Sequence, residues 1–310
     1  MALELDVSRL QEVTIIDSSE KVTFAWWNTG LSPNAKSRGD LAAQEFALQV
    51  IETLIVGLEA DFIALGEISS SDLVFFQKNN RFEHYAFISA VKDTGKMKVD
   101  LAYVVNVDRL SVASEKSIIS IVGGSSNKVA HQVVVQDVMF GSVMSVFISH
   151  WPSRMFINQF HAKRHALSLD LRSKVDEILI NDGSDSLIVL LGDYNDEPFS
   201  PSLSDQLRAS RDRSLVCRSP QLLYNPFWGA LGDTFMSGAY VGSYYYAGGE
   251  TTKWYTFDQI IFSHGFIKAK HWRLAERCSY VAALPELVEK IVDRKSKFDH
   301  LPVFGIIERV

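Results

Sequence analysis

The apolar run Leu187-Ile188-Val189-Leu190-Leu191 has the length and composition of a buried strand, and it is followed at once by Gly192-Asp193-Tyr194-Asn195. Asp193 and Asn195 are two apart, so extended backbone would point them the same way. Such a carboxylate can hold a metal or a water, and such a carboxamide can donate to a phosphate oxygen. Asp and Asn are also common in plain turns. What raises this segment above a turn is company. Phe24–Asn28 is an apolar run ending in Asn28, and Phe62–Glu67 ends in Gly66-Glu67. Val143–His150 ends in His150, Phe257–Phe262 carries Asp258 at its start, and Asp299-His300 stands just ahead of the last apolar run. A single acid at a strand end is usually solvated and idle. Six such ends, supplying Asn, Glu, His, Asp/Asn, Asp and Asp-His, read as one convergent site.

The elements that must position these groups follow from periodicity. Val22–Asn28 and Phe62–Leu65 read as strands. Between them Asp40 stands as an N-cap ahead of Leu41–Leu58, where Phe46, Val50, Leu54 and Leu58 recur at helical spacing. Ser70–Lys78 reads as a short helix. His84–Ser89, Asp100–Asn106, Ile118–Val122, Ala130–Phe140 and Ser142–His150 read as successive strands, with a tight reversal at Phe140-Gly141-Ser142. Met155–Ile180 carries the longest helical pattern, with Phe156, Phe160, Leu167, Leu171, Val175 and Ile178 on one face. The stretch from Gln206 to Thr256 is irregular and rich in Gly and aromatics. Phe257–Phe262, Ala269–Ala275 and Leu301–Ile307 complete the strands, with a helix near Pro285–Val292. Strands that mostly follow strands, with helices inserted singly, predict two β-sheets packed face to face and covered by helices.

The order and wording of the motifs resemble the endonuclease/exonuclease/phosphatase superfamily. These metal-dependent phosphoesterases include pancreatic-type deoxyribonucleases, exonuclease-III-type abasic endonucleases, neutral sphingomyelinases and inositol-polyphosphate phosphatases. Gly-Asp-Tyr-Asn at 192–195 and Asp-His at 299–300 are the most specific elements, and Trp-Asn-Thr at 27–29 and Gly-Glu at 66–67 fall in the right order. The resemblance implies an α/β (α+β) four-layer sandwich, two mostly antiparallel β-sheets packed face to face and flanked by helices. It spans Asn28 to His300, so residues 1–310 are expected to form one domain, with 1–20 as a peripheral extension.

The resemblance also suggests roles. Glu67 is the first choice of metal ligand, with Asn28 and Asp299 completing or orienting the shell of a Mg²⁺ ion; Mn²⁺ suits the same oxygens. Asp193 would orient or deprotonate the attacking water, and Asn195 would donate to a non-bridging oxygen or hold that water. His300 would be held in its tautomer by Asp258. Adjacent strand residues point to opposite faces, so Asp299 is not expected to orient His300. Either Asp193 or His300 could serve as the base. His150 resembles a second catalytic histidine, supported by Asp100 or, alternatively, Tyr103. Arg154 and Arg164 would grip a substrate phosphate bidentately or form a solvated helix face. Abasic endonucleases carry an acid two positions after the first Asn; Gly30 stands here, which favours one principal metal. His161 and His165 share a helix face but lack the further ligands that zinc needs. The aromatic stretch through Tyr244-Tyr245-Tyr246 and Trp254-Tyr255 leads into Asp258. It would stack on bases or line a small-molecule pocket, with Trp254 a substrate-binding candidate, or simply pack the loop on the body.

Composition bounds the function. Hydrophobic content of 47% with 22% charged residues is ordinary for a globular chain of 310 residues. Two cysteines, Cys217 and Cys278, make no disulfide framework, and no signal peptide or membrane span is expected, so a cytoplasmic location is the simple reading. A net charge of −6 weighs against a long nucleic acid, although basic residues cluster at Arg208, Arg211, Arg213 and Arg294–Lys297. The leading expectation is a Mg²⁺-dependent phosphodiesterase, a nuclease cleaving DNA or RNA by in-line attack of water. The alternatives are a phosphoesterase acting on a small phosphorylated metabolite, nucleotide or lipid headgroup, and a catalytically silent binding module of the same fold.

Overall fold

A computed structural model describes Leu3 and residues 20–31, 40–90, 93–94, 97–98, 100–122, 125–155, 157–158, 160–232, 242–282, 284–293 and 296–310. Its main strands are β1 Lys21–Asn28, β2 Phe62–Gly66, β3 Tyr85–Ser89, β4 Leu101–Asn106, β5 Leu110–Val122, β6 Ser125–Asp137, β7 Val143–His150, β8 Leu187–Asp193, β9 Asp258–Ser263, β10 Trp272–Val281 and β11 Val303–Arg309. Its helices are α1 Leu41–Leu58, α2 Ser70–Asn79, α3 Ala162–Asn181, α4 Arg213–Arg218, α5 His264–Lys268 and α6 Pro285–Val292.

The strands form a six-stranded sheet, β10-β11-β1-β2-β4-β3, and a seven-stranded sheet. The second runs from the short strands Ala209–Ser210 and Leu223–Tyr224 through β9-β8-β7-β6 to β5. Most pairings are antiparallel, but β1 with β2 and β7 with β8 are parallel. Period-2 alternation builds the layers. Val22, Phe24 and Trp26 of β1 point between the sheets, where they meet Val189, Leu191, Ile260 and Phe262. Ala25 and Trp27 point the other way, into a layer with Ala47, Val50, Ile51 and Leu54 of α1 and Leu287 of α6. On the far side Phe147, Ile188 and Leu190 pack on Leu167, Leu171 and Val175 of α3. The result is the expected four-layer sandwich. Truncating any of these fully buried aliphatics to Ala would cost about 2–5 kcal/mol.

Local signals explain the helix starts. Asp40 accepts from the Ala43 N–H, and Ser69 with Asp72 forms a capping box at α2. Among the described residues α1 is the one helix long and apolar enough to cross a membrane. Here its apolar side is buried on the sheet.

Three boundaries differ from expectation. The helix expected from Met155 starts only at Ala162, because His161 caps it by accepting from the Lys163 N–H. Phe160 is 69% exposed and lies outside it, while Phe156 lies outside the described residues. β5 starts at Leu110 rather than Ile118; Glu115 on the face toward Tyr103 and His131, with Lys116 on the other, hid the alternation. His264–Lys268 forms a short helix in the interval between the two expected strands, and β10 starts at Trp272 rather than Ala269. Arg294, Lys295 and most of residues 1–20 lie outside the described residues.

Candidate active site

Strand pairing brings the polar ends together. In the parallel pair β7–β8, His150 sits beside Asp193, and in the antiparallel pair β8–β9, Asp193 sits beside Asp258. In the other sheet Asn28 is paired with Gly66, so Glu67 emerges next to it. Asp299 and His300 come just before β11, which pairs with β1. Each sheet therefore contributes about half of one cluster.

Two glycines permit this approach. Gly192 has φ 155°, and a Cβ there would lie 1.9 Å from the Ser149 carbonyl oxygen. A Cβ at Gly66 would lie 2.6 Å from the Trp26 ring, which needs that space to reach across the sheets. Glu67 (φ 51°) and Asn195 (φ 50°) both occupy the left-handed region, a strained backbone often retained at working sites.

The hydrogen bonds form a connected network. Asp258, fully buried, accepts from Trp26 Nε1 at 2.6 Å through Oδ1 and lies 2.7 Å from His300 Nδ1 through Oδ2. His300 Nε2 is left facing Asp193 Oδ2 at 3.8 Å. From the other side His150 Nε2 faces the same oxygen at 3.9 Å and Glu67 Oε1 at 3.7 Å. His150 Nδ1 is held by Asp100 at 3.0 Å, and Lys128 Nζ donates to Asp100 at 2.7 Å. Asn28 Nδ2 donates to both Glu67 Oε1 and Asp193 Oδ2 at 3.2 Å, while its Oδ1 accepts from the Gly30 N–H. Asn28 so braces the two carboxylates and would have to present Oδ1 instead to bind a metal directly.

The electrostatics follow from crowding. Burial, with Asp258 adding to it, pushes Asp193 up to about 6 against the pull of His300 and His150. Burial also raises Asp299 to about 6; His300 opposes this, and Glu67 and Asp193 add to it. For His150 burial alone would lower the pKa, but the charge of Asp100 and its hydrogen bond, then Asp193 and Glu67, raise it to about 9. His300 is raised well above its ordinary value against burial, first by Asp258. Burial would raise Asp100, yet His150 and Lys128 hold it well below the usual carboxylate range.

Ligand atoms of Asp193, Asp258 and His300 lie within 4.8 Å of one another, close enough to share a cation. Two of them are already spent on each other across the 2.7 Å contact. The open donors are the oxygens of Glu67, Asp193 and Asp299. An all-oxygen set without thiolate fits a hard divalent cation, whose charge would offset the burial and carboxylate repulsion that raise Asp193 and Asp299.

The sequence-based candidates fall into two groups. Asn28, Glu67, Asp100, His150, Asp193, Asp258, Asp299 and His300 come together. Asp299 Oδ1 lies 3.8 Å from His300 Nε2, because this segment is a loop and not a strand, so the two side chains do not face apart. Asn195 is not extended; its Nδ2 donates to the Trp151 carbonyl and its N–H to Asp193 Oδ1. It fixes the aspartate, and the expected pairing of the two side chains on one face does not occur.

Four residues make contacts other than those expected of substrate binders. Arg164 is 1% exposed and donates to the Tyr194, Pro152 and Ile157 carbonyls beside Asp196. It braces the loop from inside and is not a phosphate grip, because the side chain is buried and its NH1 and NH2 already donate to carbonyls. Arg154 bonds the Asn195 carbonyl, Asp196 and Ser200, and its guanidinium lies 4.7 Å over the Phe257 ring. Tyr103 is fully buried, stacks on Phe62 and donates to Glu115, so Asp100 and not Tyr103 supports His150. Trp254 is 8% exposed and packs with Tyr245 in the helix-side core.

Three positions escaped sequence reading. Trp26 anchors Asp258; it is two residues before Asn28, so period-2 alternation placed it on the same face. Lys128 steadies Asp100 and carried no signal. Tyr244 lies with its ring 4.7 Å from that of His300, and only the aromatic richness of its segment hinted at it.

Comparison with known proteins bears on the fold and the family. A search of curated protein sequences finds no match. Among solved structures, the human Nocturnin catalytic domain with bound sulfate has a TM-score of 0.61 at 14% identity, covering 94% of this chain and 95% of that one. D. rerio TDP2 complexed with single-strand DNA product gives 0.58 at 14% identity, covering 94% and 100%. The Bacteroides thetaiotaomicron mannosyl-6-phosphatase Bt3783 gives 0.58 at 14%, covering 93% and 99%. At these identities the likeness is one of fold. The profile of the endonuclease/exonuclease/phosphatase family matches residues 36–297, most of the chain, and to that family of phosphoesterases this protein belongs.

Proposed function

We propose that the protein is a Mg²⁺-dependent phosphodiesterase that cleaves nucleic-acid phosphodiester bonds by in-line attack of water. The observation that carries the reading is the pair of imidazole Nε2 atoms, of His300 and His150, 3.8 and 3.9 Å from one Asp193 oxygen. Both imidazoles are oriented from behind by a carboxylate at Nδ1. The carboxylates around both rings raise their pKa values against burial and so favour the imidazolium, in which Nε2 is a donor as well as Nδ1. Together the two Nε2 atoms can hold two non-bridging oxygens of one phosphate. Asp193 lies between them, and its Oδ2, which also accepts from Asn28, would orient the attacking water and accept its proton. Asp193 is the base in this reading, because the carboxylates around His300 raise its pKa against burial and favour the imidazolium, which cannot accept a proton. Mg²⁺ held by Glu67 and Asp299, with Asn28 beside them, would neutralise phosphoryl charge and stabilise the leaving oxygen. Water is the nucleophile, so no covalent intermediate forms. The free, exposed thiol of Cys217 supports a cytoplasmic setting.

A nucleic-acid substrate is supported by the DNA product bound to the structurally similar TDP2. A small phosphoester is the second reading, favoured by the net charge of −6 and by the sugar-phosphatase activity in the name of another similar structure. The test is product analysis on single- and double-stranded DNA, RNA, abasic DNA, nucleotides and an aryl phosphodiester, with Mg²⁺, Mn²⁺ or EDTA. Metal-dependent cutting of a polymer, lost in His300→Ala, is expected. Cleavage of small esters alone would replace the first reading by the second, and no cleavage anywhere would leave a binding module.

A further inference from the structure

We propose that the Tyr244 hydroxyl is a catalytic donor that hydrogen-bonds a non-bridging oxygen of the reacting phosphate. This deepens the phosphoesterase reading above and rests on it. Tyr244 is fastened to the site through its backbone. It bridges to His300, its neighbour Tyr245 donates an N–H to the Asp299 carbonyl at 2.9 Å, and Leu301 N–H reaches the Ser243 carbonyl at 2.7 Å. Ser243 Oγ also accepts from the Asp258 N–H at 3.0 Å. The residues on both sides of Tyr244 are thus locked to the catalytic pair.

The ring is fixed as firmly. It lies 4.7 Å from the His300 imidazole and stacks on Phe257 at 5.3 Å with 17° between planes. The Arg154 guanidinium closes the far side of Phe257 at 4.7 Å. This stack explains the ring but not the hydroxyl. A phenylalanine would serve the packing equally well.

The hydroxyl of half-buried Tyr244 makes no hydrogen bond among the described residues. Its ring lies against His300, whose Nε2 is 3.8 Å from both Asp193 Oδ2 and Asp299 Oδ1, so Tyr244 borders the carboxylate cluster. A phenol is an uncharged O–H donor at neutral pH. A rigidly held donor thus stands beside His300, in the site where the phosphate would bind.

The test compares Tyr244→Phe with Tyr244→Ala and wild type. Turnover is measured on an aryl phosphodiester with Mg²⁺, and affinity for inorganic phosphate by calorimetry. One lost hydrogen bond to a charged oxygen should lower turnover by about 10- to 100-fold and weaken phosphate binding by a similar order in Tyr244→Phe. The unfolding midpoint should stay at the wild-type value, which a purely structural role would not allow alongside such losses. Tyr244→Phe matching wild type in turnover and phosphate affinity, while Tyr244→Ala fails, would overturn the proposal in favour of packing alone. If wild type cleaves no ester yet Tyr244→Phe still weakens phosphate binding, the assigned reaction falls and the donor stands. If wild type neither cleaves nor binds phosphate, both fall.

Discussion

Replacing Asp258 with asparagine should reset the protonation of His300. The indole N–H of Trp26 can only donate, so the new carboxamide must turn its oxygen toward Trp26 Nε1. Its NH₂ then faces His300 Nδ1, across the contact that is now 2.7 Å. Nδ1 must become an acceptor, and the single remaining proton moves to Nε2. The main charge that raised His300 has gone, while burial still lowers it. The imidazolium is thereby disfavoured, against the remaining pull of Asp299 and Asp193. Asp258 is 0% exposed, so solvent does not screen the change. A hydrogen bond to a charged group is worth about 1.5–3 kcal/mol, which corresponds to about a 10- to 100-fold fall in turnover. Long-range ¹H–¹⁵N spectra of the imidazole at pH 7 and rates on the best phosphoester would be recorded together. The wild type should show both ring nitrogens protonated, and Asp258→Asn a neutral ring protonated at Nε2. A cationic His300 in the variant, or turnover within about twofold of wild type, would refute the reasoning.

Gly192→Ala should fail to fold or lose more than about 3 kcal/mol in urea unfolding, since its Cβ would sit 1.9 Å from the Ser149 oxygen; near-native stability would show that β7 and β8 can separate. Arg164→Met should cost about 3–5 kcal/mol, because buried Asp196 loses a charge partner and three carbonyls lose their donor; a loss under about 1 kcal/mol would return Arg164 to the surface. Burial pushes Asp61 and Asp193 up to about 6, so the folded protein binds these protons more tightly than the unfolded chain. Their contribution is full below the ordinary value of 3.8 and is lost as pH rises through about 6. The metal-free unfolding temperature should fall across that window, with Mg²⁺ restoring most at its upper end. Calorimetry with and without EDTA showing an equal Mg²⁺ effect at both ends would contradict this.

Where a functional side chain ends a buried strand, it could be read from the sequence, because a long apolar run fixes both the strand and the place where polarity returns. Asn28, His150, Asp193 and Asp258 belong to that class. Asn195 does not. Its left-handed backbone is set by the Trp151 carbonyl and Asp193, contacts that no local pattern announces. The two arginines show the same limit, since a basic residue at the head of a helix has one sequence signature whether it meets solvent or buried carbonyls. Trp26 was legible in principle from alternation alone. Its partner, 232 positions away in the other sheet, was not. The early start of β5 was hidden for a simpler reason, as Glu115 and Lys116 put a charge on each face of the strand.

The division of polar ends between two sheets has a consequence for how this protein becomes active. Asn28, Glu67 and His300 arrive with one leaf of the sandwich, and His150, Asp193 and Asp258 with the other. Trp26 crosses from the first to hold Asp258 on the second. Neither leaf alone carries an oriented imidazole facing Asp193. Competence therefore requires that the two leaves have closed on each other. An ion or phosphate bound across the seam would act as a clasp between halves distant in sequence. Slippage of one leaf over the other by a single strand repeat would silence the chemistry before it exposed the core.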